Sequence, residues 1–303
     1  MPGPRSHRGA SRADLAMLFV VLVWGGNIPI VKAALAEIPL LAFAGIRFTF
    51  ASLLFAAVLR RREGSIAPPP GTAGAVIWLG LLGNTAYQIL FMTGLYHTSV
   101  ANTSLLLASN PVLVTILGAL TGVERLTPTH ALGVAVAFAG VVMVLANSGI
   151  HLSTASLAGD IPILLAALCW AAYTVGVRRW APTMSPLRLT ALTLITGAPG
   201  LLLAGLPAII STDWGSVTLV GWGGLAYSTI LALVLSYTVW NTSVAEVGPS
   251  RTAVYNCFIP AVAMLLAWAT LGERPLPLQV GGAALIVGGV LLTRLLPARR
   301  VTA

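Results

Sequence analysis

Ten long apolar segments, separated by short connections rich in proline and glycine, constrain this chain more than any other feature of its sequence. Each is close to the roughly 20 residues that an α-helix needs to cross a bilayer. Only helices and closed barrels satisfy their backbone in lipid, and barrel strands are about half this length and alternate in polarity. The segments are therefore predicted to be helices. Their approximate limits are 14–36, 39–59, 74–96, 100–121, 128–147, 157–178, 187–206, 216–242, 250–271 and 277–296.

The composition argues against a water-soluble protein. Of the 303 residues, 57% are hydrophobic and 8% are charged, whereas soluble domains carry about 25% charged residues. The net charge of +9 comes from short basic clusters between the apolar segments. These clusters form no basic face interleaved with aromatic side chains, so we expect the lipid bilayer as partner and no nucleic acid.

The basic residues also predict the orientation. With a cytoplasmic N-terminus, the inner connections hold 14 of the 17 Lys and Arg and the outer ones hold only Arg274, while Lys32 and Arg47 lie within spans. This asymmetry follows the positive-inside rule and predicts an inner-membrane protein with both termini in the cytoplasm. The acidic residues divide evenly, with Asp160 on the outer side. The inner basic residues are Arg5, Arg8, Arg12, Arg60, Arg61, Arg62, Arg125, Arg178, Arg179, Arg188, Arg251, Arg294, Arg299 and Arg300.

An internal repeat relates the fourth and fifth segments to the ninth and tenth by a shift of 149 residues. Trp24 in the first segment is echoed by Trp170 in the sixth. Five spans in each half force the second half into the opposite orientation, an arrangement typical of secondary transporters with a midplane site; an inert duplicated scaffold is the alternative. The predicted fold is an all-α membrane protein of ten transmembrane helices, built as two inverted five-helix repeats at 14–147 and 157–296. The matched pairs are Pro111 with Pro260, Leu117 with Leu266, Thr121 with Thr270, Glu124-Arg125 with Glu273-Arg274, Pro128 with Pro277, Gly133 with Gly282, Ala135 with Ala284, and Gly140-Val141 with Gly289-Val290.

Several motifs resemble those of the EamA family of the drug/metabolite transporter superfamily. The resemblance covers about residues 14–296 and implies a ten-helix inverted-repeat fold, in a family of which many members export amino acids or other metabolites. The stretch Trp170-Ala171-Ala172-Tyr173 is similar to the aromatic amino-acid exporter branch. The motifs are Trp24-Gly25-Gly26-Asn27 with Lys32, Arg47, Asn110-Pro111 with Glu124-Arg125, and Ile259-Pro260 with Glu273-Arg274-Pro275.

Polar and aromatic residues fall on single stripes of several predicted helices. Such groups are costly in hydrocarbon and must face other helices or a cavity. We expect a cavity of aromatic and amide side chains that suits a zwitterionic, partly apolar solute; contacts between helices or an interfacial belt are the alternatives. The predicted substrate-binding residues are Trp24, Asn27, Asn84, Tyr87, Gln88, Trp170, Tyr173, Tyr237, Tyr255 and Asn256.

Three further residues are predicted to gate or shape the bundle: Arg47, Pro111 and Pro260. Arg47 lies within the second span and needs a partner, which could be a backbone carbonyl, a substrate carboxylate or Glu37. Pro111 and Pro260 lie near the middle of the fourth and ninth spans, where proline kinks a helix. The kinks could be hinges for alternating access or static packing features.

No Asp or Glu lies in the central part of any span, which disfavours exchange of a cationic drug for protons. The sequence predicts a monomeric exporter or facilitator of small metabolites, in particular amino acids including aromatic ones. A multidrug or other-metabolite exporter is the alternative within the superfamily. We expect no cofactor and no metal, because no histidine has ligand spacing. An enzyme or a receptor is disfavoured, because the sequence lacks a catalytic constellation and a water-exposed domain.

Overall fold

The computed structural model describes residues 12–123, 128–146 and 154–295, and these residues form helices with no strand among them. The predicted all-helical class is therefore confirmed. A short 3-10 turn, Ala181–Thr183, follows the sixth helix. The helices are α1 (Arg12–Ala34), α2 (Leu40–Glu63), α3 (Ala73–His97), α4 (Val100–Leu120), α5 (Pro128–Ala146), α6 (Thr154–Trp180), α7 (Pro186–Ser211), α8 (Leu219–Tyr227, Ser228–Leu235 and Ser236–Val247), α9 (Pro249–Ala253, Val254–Phe258 and Ile259–Leu271) and α10 (Pro277–Leu295).

Seven of these helices, within the described residues, are long and apolar enough to cross a bilayer: α1–α4 and α6–α8. Shorter apolar stretches follow at Tyr255–Leu271 and Pro277–Gly289. Large apolar side chains such as Leu22, Phe50 and Leu203 point outward and are more than half exposed. Helices that bury one face against each other and present apolar side chains outward have the pattern of a bundle surrounded by lipid.

Four helices depart from regular α-geometry near their middle. The backbone of α3 forms a π-helical turn at Leu81–Ala86, and α8 forms one at Ser228–Leu235. Helix α4 is interrupted between Leu107 and Asn110, and α9 passes through a 3-10 turn at Val254–Phe258. Pi turns inside α-helices occur frequently at functional sites.

Pro111 and Pro260 lie at these interruptions, in the first turn of the segments Asn110–Leu120 and Ile259–Leu271. In the first turn of a helix the missing proline N–H removes no hydrogen bond, so proline is well tolerated there. The two prolines thus begin a new helical segment rather than bend a continuous helix.

The helix contacts are reciprocal between the first five helices and the last five. Helix α2 packs along α7, and α5 packs along α10. The contact of α3 with α6 has its counterpart in that of α8 with α1, and the contact of α4 with α6 has its counterpart in that of α9 with α1. The sulfur of Cys257 contacts the carbonyl oxygen of Ala108, a residue 149 positions earlier, which is the same shift that relates the repeated sequence.

Glycines bring α5 and α10 into close contact. A Cβ atom at Gly140 would lie 2.7 Å from the carbonyl oxygen of Gly282, and one at Gly289 would lie 2.5 Å from that of Gly133. These four positions are the glycine pairs of the internal repeat, so each helix approaches the other through the same two positions. Small residues allow backbones in membranes to approach closely and to pack without a hydrophobic driving force.

We predict that Gly289→Ala destabilises the protein by about 1–3 kcal/mol, since the new methyl group would overlap the backbone of Ala137. Gly288→Ala is the matched control, because a Cβ at Gly288 meets nothing within 4 Å and alanine is the better helix former. Thermal unfolding of the two purified variants in detergent measures the difference. Equal melting temperatures would contradict this account of the contact.

Candidate functional site

A cavity of about 70 Å³ lies in the middle of the bundle. Its walls come from α1, α2, α3 and α4 and from α6, α8 and α9, so both predicted halves contribute. The π turn of α8 and the interruptions of α4 and α9 adjoin it. The lining residues are Trp24, Asn27, Ile28, Arg47, Tyr87, Gln88, Phe91, Leu107, Asn110, Trp170, Ala232, Tyr237, Asn256 and Ile259.

The structure brings seven of the ten predicted binding residues to this cavity, together with Arg47. The other three predicted binding residues, Asn84, Tyr173 and Tyr255, lie outside its lining. The seven are Trp24, Asn27, Tyr87, Gln88, Trp170, Tyr237 and Asn256.

Aromatic rings form the apolar part of the cavity wall. Trp170 is at the centre, with ring centroids 5.1 Å from Tyr87, 5.1 Å from Tyr237 and 5.6 Å from Trp24. Trp24 also contacts Tyr237 edge-on at 6.0 Å, and its indole N–H donates to the carbonyl of Ala232 at 3.0 Å. Tilted and edge-on ring pairs at these distances are favourable. The rings are therefore held in place by each other and by α8.

Amide side chains form much of the polar part of the wall. Asn27 accepts a hydrogen bond from the hydroxyl of Ser228, and the Nδ2 group of Asn110 donates to the carbonyl of Ala167 at 3.0 Å. The Oδ1 atom of Asn110 and the Nε2 group of Gln88 are buried and have no hydrogen-bond partner among the described residues. One acceptor and one donor are thus available to a solute.

Arg47 carries the only charge in the cavity lining and is 3% exposed. Its guanidinium lies 5.7 Å from the ring centroid of Phe43 and 5.4 Å from that of Phe48, within the range of cation–π attraction. Its Nε and Nη1 groups have no hydrogen-bond partner among the described residues. An arginine at the centre of a membrane-spanning helix makes the free energy of insertion less favourable by about 2.5–3.5 kcal/mol. Arg47 is therefore present despite an unfavourable contribution to insertion.

Glu37 does not partner Arg47, although it was one of the expected candidates. Its carboxylate accepts hydrogen bonds from the hydroxyl and the backbone N–H of Thr218, both at 2.8 Å. The hydroxyl hydrogen bond and then the backbone one lower the pKa of the Glu37 carboxyl. Glu37 therefore connects α1 to the start of α8 at the end of the bundle.

Asn84 and Tyr173 serve contacts between helices. Asn84 is fully buried and donates to the carbonyl of Thr193 at 2.9 Å, which ties α3 to α7. The ring of Tyr173 stacks on Trp170 at 5.1 Å, and its hydroxyl accepts from Asn241 at 2.8 Å. Tyr173 thus supports the aromatic wall from behind, while Tyr255 is partly buried against the core.

The cavity also contains residues outside the predicted set. Phe91 lies one turn after Tyr87 on the same stripe, and their rings are stacked at 5.8 Å, so the helical spacing could have identified it. Asn110 precedes Pro111 in the repeated motif. Nothing in the sequence distinguishes the remaining four from the core, because apolar residues fill every span: Ile28, Leu107, Ala232 and Ile259.

A polar network joins five helices at one end of the bundle. Lys32, at the end of α1, forms an ion pair with Glu273 at 2.9 Å and donates to the carbonyl of Thr98 at 2.7 Å. The second oxygen of Glu273 accepts from the N–H of Val100 at 2.9 Å. Asp160, near the start of the sixth predicted segment, lies buried in α6 and accepts from the hydroxyl of Thr98 at 2.7 Å.

Apolar helices that surround a central cavity with aromatic and polar walls have the arrangement of a membrane transport protein. The chain belongs to the EamA-like transporter family, whose model matches residues 11–146 and 157–295. The family resemblance predicted from the motifs is thus confirmed, and the chain is a multi-pass membrane protein of a transporter family.

Individual relatives extend this result. The chain is 33% identical to an uncharacterized transporter, YyaM, of Bacillus subtilis over 72% of each chain. It is 27% identical to a probable terminal-alkyne amino-acid exporter of Streptantibioticus cattleyicolor over 93% of each. It is also 25% identical to a probable amino-acid metabolite efflux pump of Salmonella typhimurium, over 92% of this chain and 94% of the relative.

The fold also has a counterpart among solved structures. A crystal structure with 22% sequence identity superposes with a TM-score of 0.71 and covers 97% of this chain and 100% of the other. At this identity the likeness concerns the fold alone.

We predict that Tyr173→Phe lowers stability by about 1 kcal/mol, because Asn241 loses one of the two hydroxyl acceptors of its Nδ2 group. Tyr87→Phe is the matched control, since no hydrogen bond joins its hydroxyl to another described residue. Thermal unfolding in detergent compares the two variants. A larger loss for Tyr87→Phe would refute the supporting role given to Tyr173.

Proposed function

We propose that this protein exports small organic metabolites, in particular amino acids including aromatic ones. The observation that carries the proposal is the central cavity, in which aromatic rings and unpaired amide groups adjoin a single positive charge. An apolar side chain fits against the rings, and the polar ends of the solute meet Gln88, Asn110 and Arg47. The relatives described as an amino-acid exporter and an amino-acid metabolite efflux pump support the same substrate class and an outward direction.

The chain is proposed to cross the membrane ten times, as two inverted repeats at 14–147 and 157–296. The reciprocal contacts of α2 with α7 and of α5 with α10 support this arrangement, as does the contact between Cys257 and Ala108. The basic residues support an inner-membrane location with both termini in the cytoplasm. The cavity is complete within one chain, which supports a monomer as the functional unit.

The transport cycle is proposed to proceed by alternating access. A cavity of about 70 Å³ is small beside the roughly 300–1,000 Å³ of pockets that enclose organic ligands, so binding requires helices to move apart. The interruptions of α4 and α9, at Pro111 and Pro260, are where these helices can bend without the loss of regular hydrogen bonds. Arg47, on α2, lies in the wall of the same cavity.

The ion pair of Lys32 with Glu273 is proposed to hold the outer end of the bundle closed. It joins α1 to α9, and its hydrogen bonds to Thr98 and Val100 add α3 and α4. Separation of α1 from α9 at this end requires that the pair break. In the proposed orientation this end faces away from the cytoplasm.

The first test is uptake of labelled phenylalanine, threonine and methionine into proteoliposomes, with and without a pH gradient and against empty liposomes. We expect saturable uptake that the gradient does not change, because the cavity lining contains no carboxylate to exchange a proton. Acceleration by the gradient would contradict uncoupled transport but not export. No uptake of any of the three would contradict the amino-acid substrate.

We predict that Gln88→Ala and Tyr87→Ala reduce this uptake about 3- to 10-fold without a loss of protein in the membrane, because each removes a cavity contact. Thr270→Ala, at an exposed position on α9, is the control and leaves uptake unchanged. Transport at the wild-type rate by both cavity variants would remove Tyr87 and Gln88 from the binding site.

We predict that Glu273→Gln opens the outer end. The reporter is Ile28→Cys in a background from which Cys169 and Cys257 have been removed. With Glu273→Gln, an impermeant maleimide added outside should label this cysteine about two- to five-fold faster than without it. That factor is the one expected for the loss of a partly exposed ion pair. Lys32→Met should raise the labelling rate by a similar factor. The double variant should label little faster than either single variant, because both substitutions remove the same interaction.

Glu63→Gln is the control for the labelling, since it breaks the other ion pair, that with Arg188. It should not change the rate at which the maleimide added outside labels the cysteine at position 28. Fully additive effects of Glu273→Gln and Lys32→Met would show that the two side chains do not act as a pair.

A further inference from the structure

Among the described residues that line the cavity, Arg47 is the one with a charged side chain, and the others are neutral. It is 3% exposed, so water at the surface does not solvate it. The Nε and Nη1 groups remain without hydrogen-bond partners among the described residues. A buried charged group without a hydrogen-bond acceptor is rare, because its desolvation is uncompensated.

Six acidic side chains are placed by the structure, and none of these six neutralises Arg47, because each has another environment. Glu37 binds Thr218, Glu63 pairs with Arg188, Asp160 accepts from Thr98, Asp213 caps its own turn at Gly215, Glu246 is exposed, and Glu273 pairs with Lys32. Arg47 makes cation–π contacts with Phe43 and Phe48, two residues of its own helix. These contacts attract the guanidinium but satisfy none of its N–H donors.

A second unpaired donor lines the same cavity. The Nε2 group of Gln88 is buried and has no partner among the described residues. Guanidinium and amide N–H groups together form a site for an oxyanion, and arginine binds planar carboxylates through two parallel hydrogen bonds. The stacked rings of Tyr87 and Phe91 lie on the same helix as Gln88 and offer an apolar surface beside it.

We propose that Arg47 binds the carboxylate of the transported solute and that this contact selects carboxylates over their amide and amine counterparts. The inference rests on the proposed function and names its substrate class: a compound with one carboxylate and an apolar or aromatic remainder. One guanidinium matches a monovalent carboxylate better than a divalent phosphate, because the described residues that line the cavity include no second cation. The amino group of an amino acid is then not required for binding.

The test begins with labelled phenylalanine and leucine in proteoliposomes that contain the full chain. Unlabelled 3-phenylpropionate, which lacks the amino group, should compete about as well as phenylalanine. Phenethylamine, which lacks the carboxylate, and phenylalaninamide, which neutralises it, should each compete at least 10-fold less well. Phenyl phosphate should also compete less well than 3-phenylpropionate.

Substitution of Arg47 connects this selectivity to one side chain. Arg47→Gln should raise the KM for phenylalanine about 10- to 100-fold, as expected for the loss of a charge-assisted hydrogen bond, and should abolish the preference for acid over amide. Arg47→Lys should retain part of that preference, because it keeps the charge without the planar pair of donors. Arg188→Gln removes an arginine outside the cavity and should leave the preference unchanged.

Gln88→Leu supplies a test that does not depend on the folding of Arg47 variants. It should weaken competition by 3-phenylpropionate more than competition by phenylalaninamide. A structural role of Arg47 alone would lower the amount of folded protein, seen by size-exclusion chromatography, and leave the ratio of acid to amide unchanged in what remains.

Equal competition by the acid, the amide and the amine, or stronger competition by phenyl phosphate, would overturn the inference while the protein remains a transporter. Uptake of labelled uridine or choline without uptake of either amino acid would also overturn the inference, and the protein would still be a transporter. If none of these labelled compounds enters, the proposed function fails together with the inference.

Discussion

A chain that crosses hydrocarbon must satisfy its backbone hydrogen bonds internally, and regular α-helix is the simplest way to do so. Four helices of this protein depart from that geometry, and all four lie around the cavity. The π turns belong to α3 and α8, and the interruptions belong to α4 and α9. Irregular backbone at membrane depth is tolerated where it is enclosed by protein or lines a cavity. The position of the cavity thus accounts for the helix defects.

The distribution of polar groups follows from the same constraint. Ion pairs and carboxylates lie at the ends of the bundle, as with Lys32 and Glu273 at one end and Arg188 and Glu63 at the other. Between the ends, buried hydroxyl and amide groups bond to backbone carbonyls of neighbouring helices, as Asn84 does with Thr193. Arg47 is the exception, since it is charged, central and without an acceptor among the described residues. A charged side chain inside the membrane without an acceptor is the strongest indication of a functional site in such a protein.

Hydropathy and spacing predicted much of this from the sequence alone. The apolar segments coincide closely with the helices, because length and apolarity are what a bilayer selects. Trp24, Tyr87 and Trp170 line one cavity, as expected of large aromatic side chains on stripes that face inward, and their contact with a substrate stays a prediction. Helical spacing did not show that Asn84 and Tyr173 lie outside the cavity lining. It indicates which face of a helix is buried, but not whether that face packs against another helix or against the cavity. The burial of Asp160 was not predicted, because a charge near a segment end does not reveal its buried partners.

The two halves of the bundle contribute unequally to the cavity, and this inequality matters for transport. The proposed pair of inverted repeats would favour two states of similar energy, with the proposed outer end closed in one and open in the other, because each half could take the place of its counterpart. The aromatic wall shares that symmetry through Trp24 and Trp170. The positive charge of Arg47 on α2 has no such counterpart. Helix α7 packs along α2, and its single basic residue is Arg188, in its first turn. A solute whose carboxylate binds Arg47 would therefore keep its anchor on α2 while the helices of the other half move, so that one polar contact persists in both states and the aromatic contacts exchange.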